Sequence, residues 1–183
     1  MRLLLIAAAA ATTAALAAEA PLPPEGTGEA RGGDMSEDAG GTEAIGPLAL
    51  VGCGTRSILW KKLYGLSLYD GQQDAEMIVM TVLHDGELPS GLPDDWPPKL
   101  RRTVDEGTIA EIDEAFGLIR PDSRVEIAFD PEADRSRMVV DGRTAVDVPA
   151  RTTYDAIRAM WFGEDPIDAK LKRTILAGRC DQA

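Results

Sequence analysis

Arg56, Trp60 and Tyr64 stand at even separations in one apolar and aromatic stretch of the chain. A guanidinium offers a planar fork of N–H donors that fits a carboxylate two-to-two. A phenol adds one more donor, and its ring can line an apolar tunnel. Residues four and eight apart share a face of a strand. A straight run from Arg56 to Tyr64 would therefore set all three on one pocket wall, whereas a bend between them removes that argument. The competing roles are a surface arginine at a bend for Arg56 and ordinary core packing for Trp60 and Tyr64. Lys61 and Lys62 follow directly, either to attract an anionic head group or to form a solvated edge.

The remaining chemistry is sparse. His84 is the single histidine, placed at the end of an apolar strand before Asp85-Gly86. Alone, it lacks the orienting partner that general-base catalysis uses, and as a haem or metal ligand it would have no companion. Asp105 and Glu106 flank Gly107 and read as the polar face of a helix. The chain has no CxxC pair, no CxxCH and no zinc-type cluster, so no metal and no cofactor is expected.

The ends of the chain read as different material from its centre. Residues 1–18 match a secretory signal peptide, with Arg2 as the positive region, an Ala-rich apolar run from Leu3 to Leu16, and a small-residue cleavage site at Ala15-Leu16-Ala17. That run is too short for a spanning helix of about 20 residues, so the mature chain is expected to have no membrane segment and to reside in the periplasm or outside the cell. Residues 19–46 hold seven acids, ten Gly or Pro, one base and no aromatic residue. Such a linker cannot bury enough apolar surface to order itself. All nine aromatic residues lie beyond residue 50, and residues 47–183 form one domain.

Charge narrows the partners. The chain carries a net charge of −12, and residues 47–183 hold 17 bases against 24 acids. Nucleic-acid binding needs clustered positive charge and is excluded on this ground. The two cysteines, Cys53 and Cys180, would experience an oxidising compartment after export. A disulfide between them would tie the first strand to the tail beyond the last helix. The alternative is a buried Cys53 and a loose Cys180.

Periodicity supplies the elements that must position these residues. Leu48–Gly54 reads as a first strand, and Ile58–Tyr69 as one long strand or a bent pair. Ala75–His84 is apolar on both faces and is expected to be central and covered on both sides. The proline-rich Leu88–Pro98 reads as a loop, and Lys99–Phe116 as helix with a break at Gly107. Val125, Ile127 and Phe129 alternate as a strand. Met138–Val140 and Thr144–Val148 flank Asp141-Gly142, a hairpin signal. Thr153–Phe162 is a helix stopped by Gly163, and a last helix is expected to start at an Asp165 N-cap. Trp161 reads as core. The order implies an α+β fold: a mostly antiparallel sheet with helices on one face.

Three motifs carry a resemblance. Gly52-Cys53-Gly54-Thr55-Arg56 is similar to the G-x-G-V-R element of the chalcone isomerase-like family, with Thr55 in the place of valine. Lys62-Leu63-Tyr64-Gly65-Leu66-Ser67-Leu68-Tyr69 is similar to its K-V-Y-A-x-G-L-Y element. Trp161-Phe162-Gly163-Glu164-Asp165-Pro166 with Leu171-Lys172 is similar to its W-L-G-x-x-P…L-K closing element. Over residues 47–177 the chain thus resembles the exported bacterial branch of that family, which implies an open-faced sandwich.

The resemblance also implies roles. In the family's plant enzyme the matching arginine stabilises negative charge on the substrate, which falls on Arg56. A threonine that helps polarise the substrate ketone is replaced here by Tyr64, and the enzyme's later Tyr and Asn have no counterpart. Its pocket-lining residue near the penultimate helix would fall at Thr153 or Tyr154. In fatty-acid-binding members an Arg and a Tyr hold the ligand carboxylate, the roles of Arg56 and Tyr64. The expectation is a non-catalytic binder of an apolar, fatty-acid-like carboxylate, with Trp60 lining the site. The alternatives are an isomerase acting on an enone with Arg56 and Tyr64 as catalytic groups, a periplasmic module docking on an envelope protein, and a haem binder.

Overall fold

The structure, a computed structural model, describes residues 47–180. The expected leader (1–18) and acidic linker (19–46) lie outside the described residues. Six strands follow one another as β1 Ala49–Ile58, β2 Lys61–Asp70, β3 Glu76–Val82, β4 Arg124–Asp130, β5 Arg135–Val140 and β6 Arg143–Pro149. They form a single antiparallel sheet in sequence order, β1-β2-β3-β4-β5-β6. Four helices complete the described domain: α1 Trp96–Leu100, α2 Glu106–Gly117, α3 Thr152–Phe162 and α4 Ala169–Leu176. Among the described residues no helix is long and apolar enough to cross a membrane.

Strand alternation sends one set of side chains to the helices. Leu66 and Leu68 of β2, Ile78, Met80 and Val82 of β3, and Val125 and Ile127 of β4 bury against Ile112, Tyr154, Ile157 and Ile175 from α2, α3 and α4. Each such buried aliphatic side chain contributes about 1.5–3 kcal/mol of transfer free energy. The opposite set on β3 and β4 forms a small separate cluster, Met77, Val79 and Ala128, flanked by Leu48 and Tyr69. No helical residue belongs to it. Both faces of β3 are buried, with Ile78, Met80 and Val82 against the helices and Met77 and Val79 in the second cluster, as expected of a central strand covered on both sides.

The first strand runs to Ile58, four residues beyond the expected end, and reverses at Leu59-Trp60 into β2. The break in the expected 99–116 helix falls at residues 101–105 rather than at Gly107. The Asp105 carboxylate caps α2 by accepting from the Thr108 backbone N–H at 3.0 Å. Helix α1 begins inside the expected loop, with Pro97 and Pro98 in its first turn, where the missing N–H is no loss. The last helix starts at Ala169, capped by Asp168, which accepts from the N–H groups of Lys170 and Leu171 at 2.9 and 3.0 Å. Asp165 instead bonds Lys99 at 3.2 Å.

Two features hold α4 on β1. A methyl group at Gly52 would collide with the backbone carbonyl of Ile175, and one at Gly54 would meet Leu171 Cδ1 at 2.8 Å. The two glycines of the G-x-G element are therefore a seat for the helix. Between them, Cys53 is joined to Cys180 by a disulfide with its Cα atoms 4.4 Å apart, and its backbone N–H donates to Arg179 O at 2.9 Å. The bond pins the segment after α4 to the sheet edge.

Candidate functional site

A cavity of about 700 Å³ opens between the sheet and the helices, within the range typical of small-ligand sites. Its sheet wall is Arg56 of β1, Leu63 and Tyr64 of β2, and Met80 and Val82 of β3. Its helical wall includes Trp96 of α1, Phe116 of α2, Ile119 just beyond α2, and Trp161 of α3. Trp96 and Trp161 pack edge-to-face with centroids 5.3 Å apart, and Trp96 meets Phe116 in the same way at 5.2 Å. These contacts make a rigid aromatic wall.

The polar end of the cavity is set by strand pairing. Arg56 and Tyr64 are directly opposed on β1 and β2, and Tyr64 is in turn paired with Val82. The Tyr64 hydroxyl accepts the indole N–H of Trp161 at 2.9 Å and a long contact from Arg56 Nη1 at 3.4 Å. The Arg56 guanidinium also lies 5.8 Å from the Tyr64 ring centroid. Indole and guanidinium groups only donate. The phenol oxygen therefore takes both of its neighbours as donors, and its own O–H stays available for an acceptor. Arg56 is half-buried and makes no ion pair with a carboxylate among the described residues.

The acids that line the cavity, Glu87, Asp95 and Asp165, are all exposed. Lys99 lies 3.2 Å from Asp165 and 3.7 Å from Asp95. The interior wall is thus apolar, one end carries donors, and the acids stay on the solvent side.

No protein-family profile matches the chain, and no curated protein matches it. The structure is similar to that of a fatty-acid binding protein of Arabidopsis thaliana, with a TM-score of 0.51 and 14% identity, over 70% of this chain and 86% of that one. This is the chalcone isomerase fold. At that identity the likeness concerns the fold.

Within the chalcone isomerase fold, the predicted residues separate clearly. Arg56 and Tyr64 come together, but across a hairpin and not along one strand, so the parity argument for them fails while their proximity holds. Trp60 does not join them: it sits at the β1–β2 reversal, 82% exposed, away from the cavity lining. Lys61 and Lys62 are exposed at the start of β2. His84 lines the cavity, but no group of three or more His, Cys, Asp or Glu among the described residues could hold a metal. Asp105 is the cap of α2, and the Thr108 backbone N–H, then its hydroxyl, holds the carboxyl below its ordinary range. Glu106 pairs with Arg101 at 2.7 Å.

Thr153 and Tyr154 are buried away from the cavity lining. The Tyr154 hydroxyl lies 3.2 Å from Glu76 Oε2, and burial, with Glu76 beside it, pushes its pKa well up. Glu76 also takes Arg151 at 2.5 Å. Arg158 Nε is 2.8 Å from the same carboxylate, at an angle that makes an ion pair without a hydrogen bond. The penultimate helix reaches the cavity through Trp161 instead, two turns further on. Sequence reasoning assigned Trp161 to the core alone. The usable signal was its indole N–H, which needs an acceptor once buried.

Proposed function

We propose that the chain binds an apolar carboxylate of the fatty-acid type in this cavity, with Arg56 and Tyr64 at the head group. The observation that carries the reading is the donor pair. Arg56 lacks a carboxylate partner, and the Tyr64 oxygen accepts from Trp161 and Arg56 while its O–H donates to no group, among the described residues. An anionic oxygen beside them completes both, and the apolar wall from Met80 to Phe116 takes a hydrocarbon chain. The likeness to a fatty-acid binding protein supports the ligand class. Export to the periplasm or beyond, through residues 1–18, belongs to the same proposal.

The test is a melting curve with and without saturating palmitate. A ligand that binds only the folded state raises the melting temperature. The rise is expected for the wild type and is expected to shrink in Arg56→Ala at the same palmitate concentration; an unchanged wild-type curve overturns the reading.

A second reading follows from the same O–H. A phenol that accepts from two donors is suited to give its proton to an enone-derived oxyanion beside Arg56. Turnover of an enone substrate that falls about 10²- to 10³-fold in Arg56→Ala would establish it, and unchanged turnover would exclude it.

A further inference from the structure

The reversal between β1 and β2 is built against the usual rules for a solvent-facing turn. Ile58, Leu59 and Trp60 are 53%, 84% and 82% exposed. Leu59 holds a left-handed backbone with φ of 56°, a conformation that favours Gly, Asn or Asp. A large apolar residue there serves neither turn geometry nor solubility. Such outliers mark function when the surrounding fold maintains them, and contiguous exposed apolar groups mark an interaction surface.

Charge names the partner. In a chain of net charge −12, the stretch from Ala49 to Tyr69 contains Arg56, Lys61 and Lys62 and no acid. Ile58 pairs with Lys61 and Ser57 with Lys62, so both lysines flank the apolar tip. An apolar tip with an indole and a cationic collar matches the interface of an anionic bilayer. There the indole sits at head-group level and lysines meet lipid phosphates. The chain's net negative charge opposes long-range approach, and screening within about 8–10 Å leaves the local collar to decide contact.

We propose that the β1–β2 hairpin tip docks on an anionic lipid surface through Leu59 and Trp60, with Lys61 against the head groups. The tip begins two pairings beyond Arg56–Tyr64, about 7 Å along the strands. Docking would therefore hold the donor end of the cavity close to the bilayer. Only this last consequence rests on the proposed ligand class; the docking itself rests on the hairpin.

The test is co-sedimentation of the purified protein with vesicles of phosphatidylglycerol and phosphatidylcholine, read together with tryptophan emission. Trp96 and Trp161 are buried, so a blue shift on adding vesicles reports Trp60. The wild type is expected to sediment and shift, and added salt is expected to weaken both effects. The Leu59→Ser/Trp60→Ser double variant is expected to lose at least tenfold in partitioning, and Lys61→Glu to lose in the same direction. Palmitate-induced stabilisation is expected to survive in the double variant, which separates this proposal from the ligand reading. Wild-type protein that stays in the supernatant, or a double variant that partitions as the wild type does, overturns the docking role. Vesicle binding in a protein that palmitate fails to stabilise keeps the docking and discards the ligand.

Discussion

The Tyr64 hydroxyl accepts the Trp161 indole N–H at 2.9 Å, joining residues 97 apart in the chain. The bond ties α3 to β2 and fixes the phenol at the end of the cavity. It also determines which way the phenol can act, because an oxygen that accepts from an indole is left to donate its own proton.

Tyr64→Phe therefore has two effects. It strands the buried Trp161 N–H, a loss of about 1–3 kcal/mol in unfolding free energy. It also removes a head-group donor. Urea unfolding is expected to show the first and palmitate titration the second, as weaker binding.

Arg56→Ala is expected to leave the fold intact, since the guanidinium is only half-buried and makes no ion pair among the described residues. A hydrogen bond to a charged group contributes about 1.5–3 kcal/mol, so carboxylate affinity should fall roughly 10- to 150-fold by calorimetry. Arg56→Lys should recover part of it, because the ammonium keeps the charge but lacks the fork.

The Cys53–Cys180 bond closes a separation of 127 residues. Replacing both cysteines by serine is expected to lower stability by about 2–5 kcal/mol. Added reductant should reproduce that loss in the wild type and leave the double variant unchanged.

Gly52→Ala is expected to push α4 off β1, because the new methyl would meet the rigid carbonyl of Ile175. A loss of about 1–3 kcal/mol follows from such overpacking. Gly65→Ala is the control: its methyl would meet only Leu83 Cδ1, at 4.0 Å, and denaturant midpoints should separate the two variants.

Tyr154 predicts the alkaline limit of the fold. Its folded-state pKa is raised above the ordinary 10.0 by burial, then by Glu76. Below about pH 10 both states keep the proton, and the group adds no pH dependence. Above it the unfolded chain releases the proton while the folded one retains it, so stability falls as pH rises. Tyr154→Phe is expected to flatten that alkaline limb in unfolding curves measured across it.

Much of the architecture was legible because it is written in local periodicity. The two-residue apolar alternation of Val125, Ile127 and Phe129 marks β4. Asp141 and Gly142 both adopt positive φ, 49° and 77°, as the two-residue hairpin between β5 and β6 requires. Helix starts were less legible: Asp105, Asp165 and Asp168 are equally good caps by type, and only packing selects the first and last.

The site divides along the same line. The sequence by itself offered Arg56 and Tyr64 as candidate donors for an anionic head group, because side-chain chemistry travels with residue type, and left a surface arginine and a core tyrosine as the competing roles. Only the tertiary structure decided how they meet. The reversal at Leu59-Trp60 makes Arg56 and Tyr64 cross-strand neighbours and sends Trp60 to solvent, since the position of a turn sets register and a shift of one residue exchanges the faces of a strand. It also brought Trp161 from α3 onto the phenol. That contact depends on how a helix packs on a sheet, which no local pattern of residues encodes.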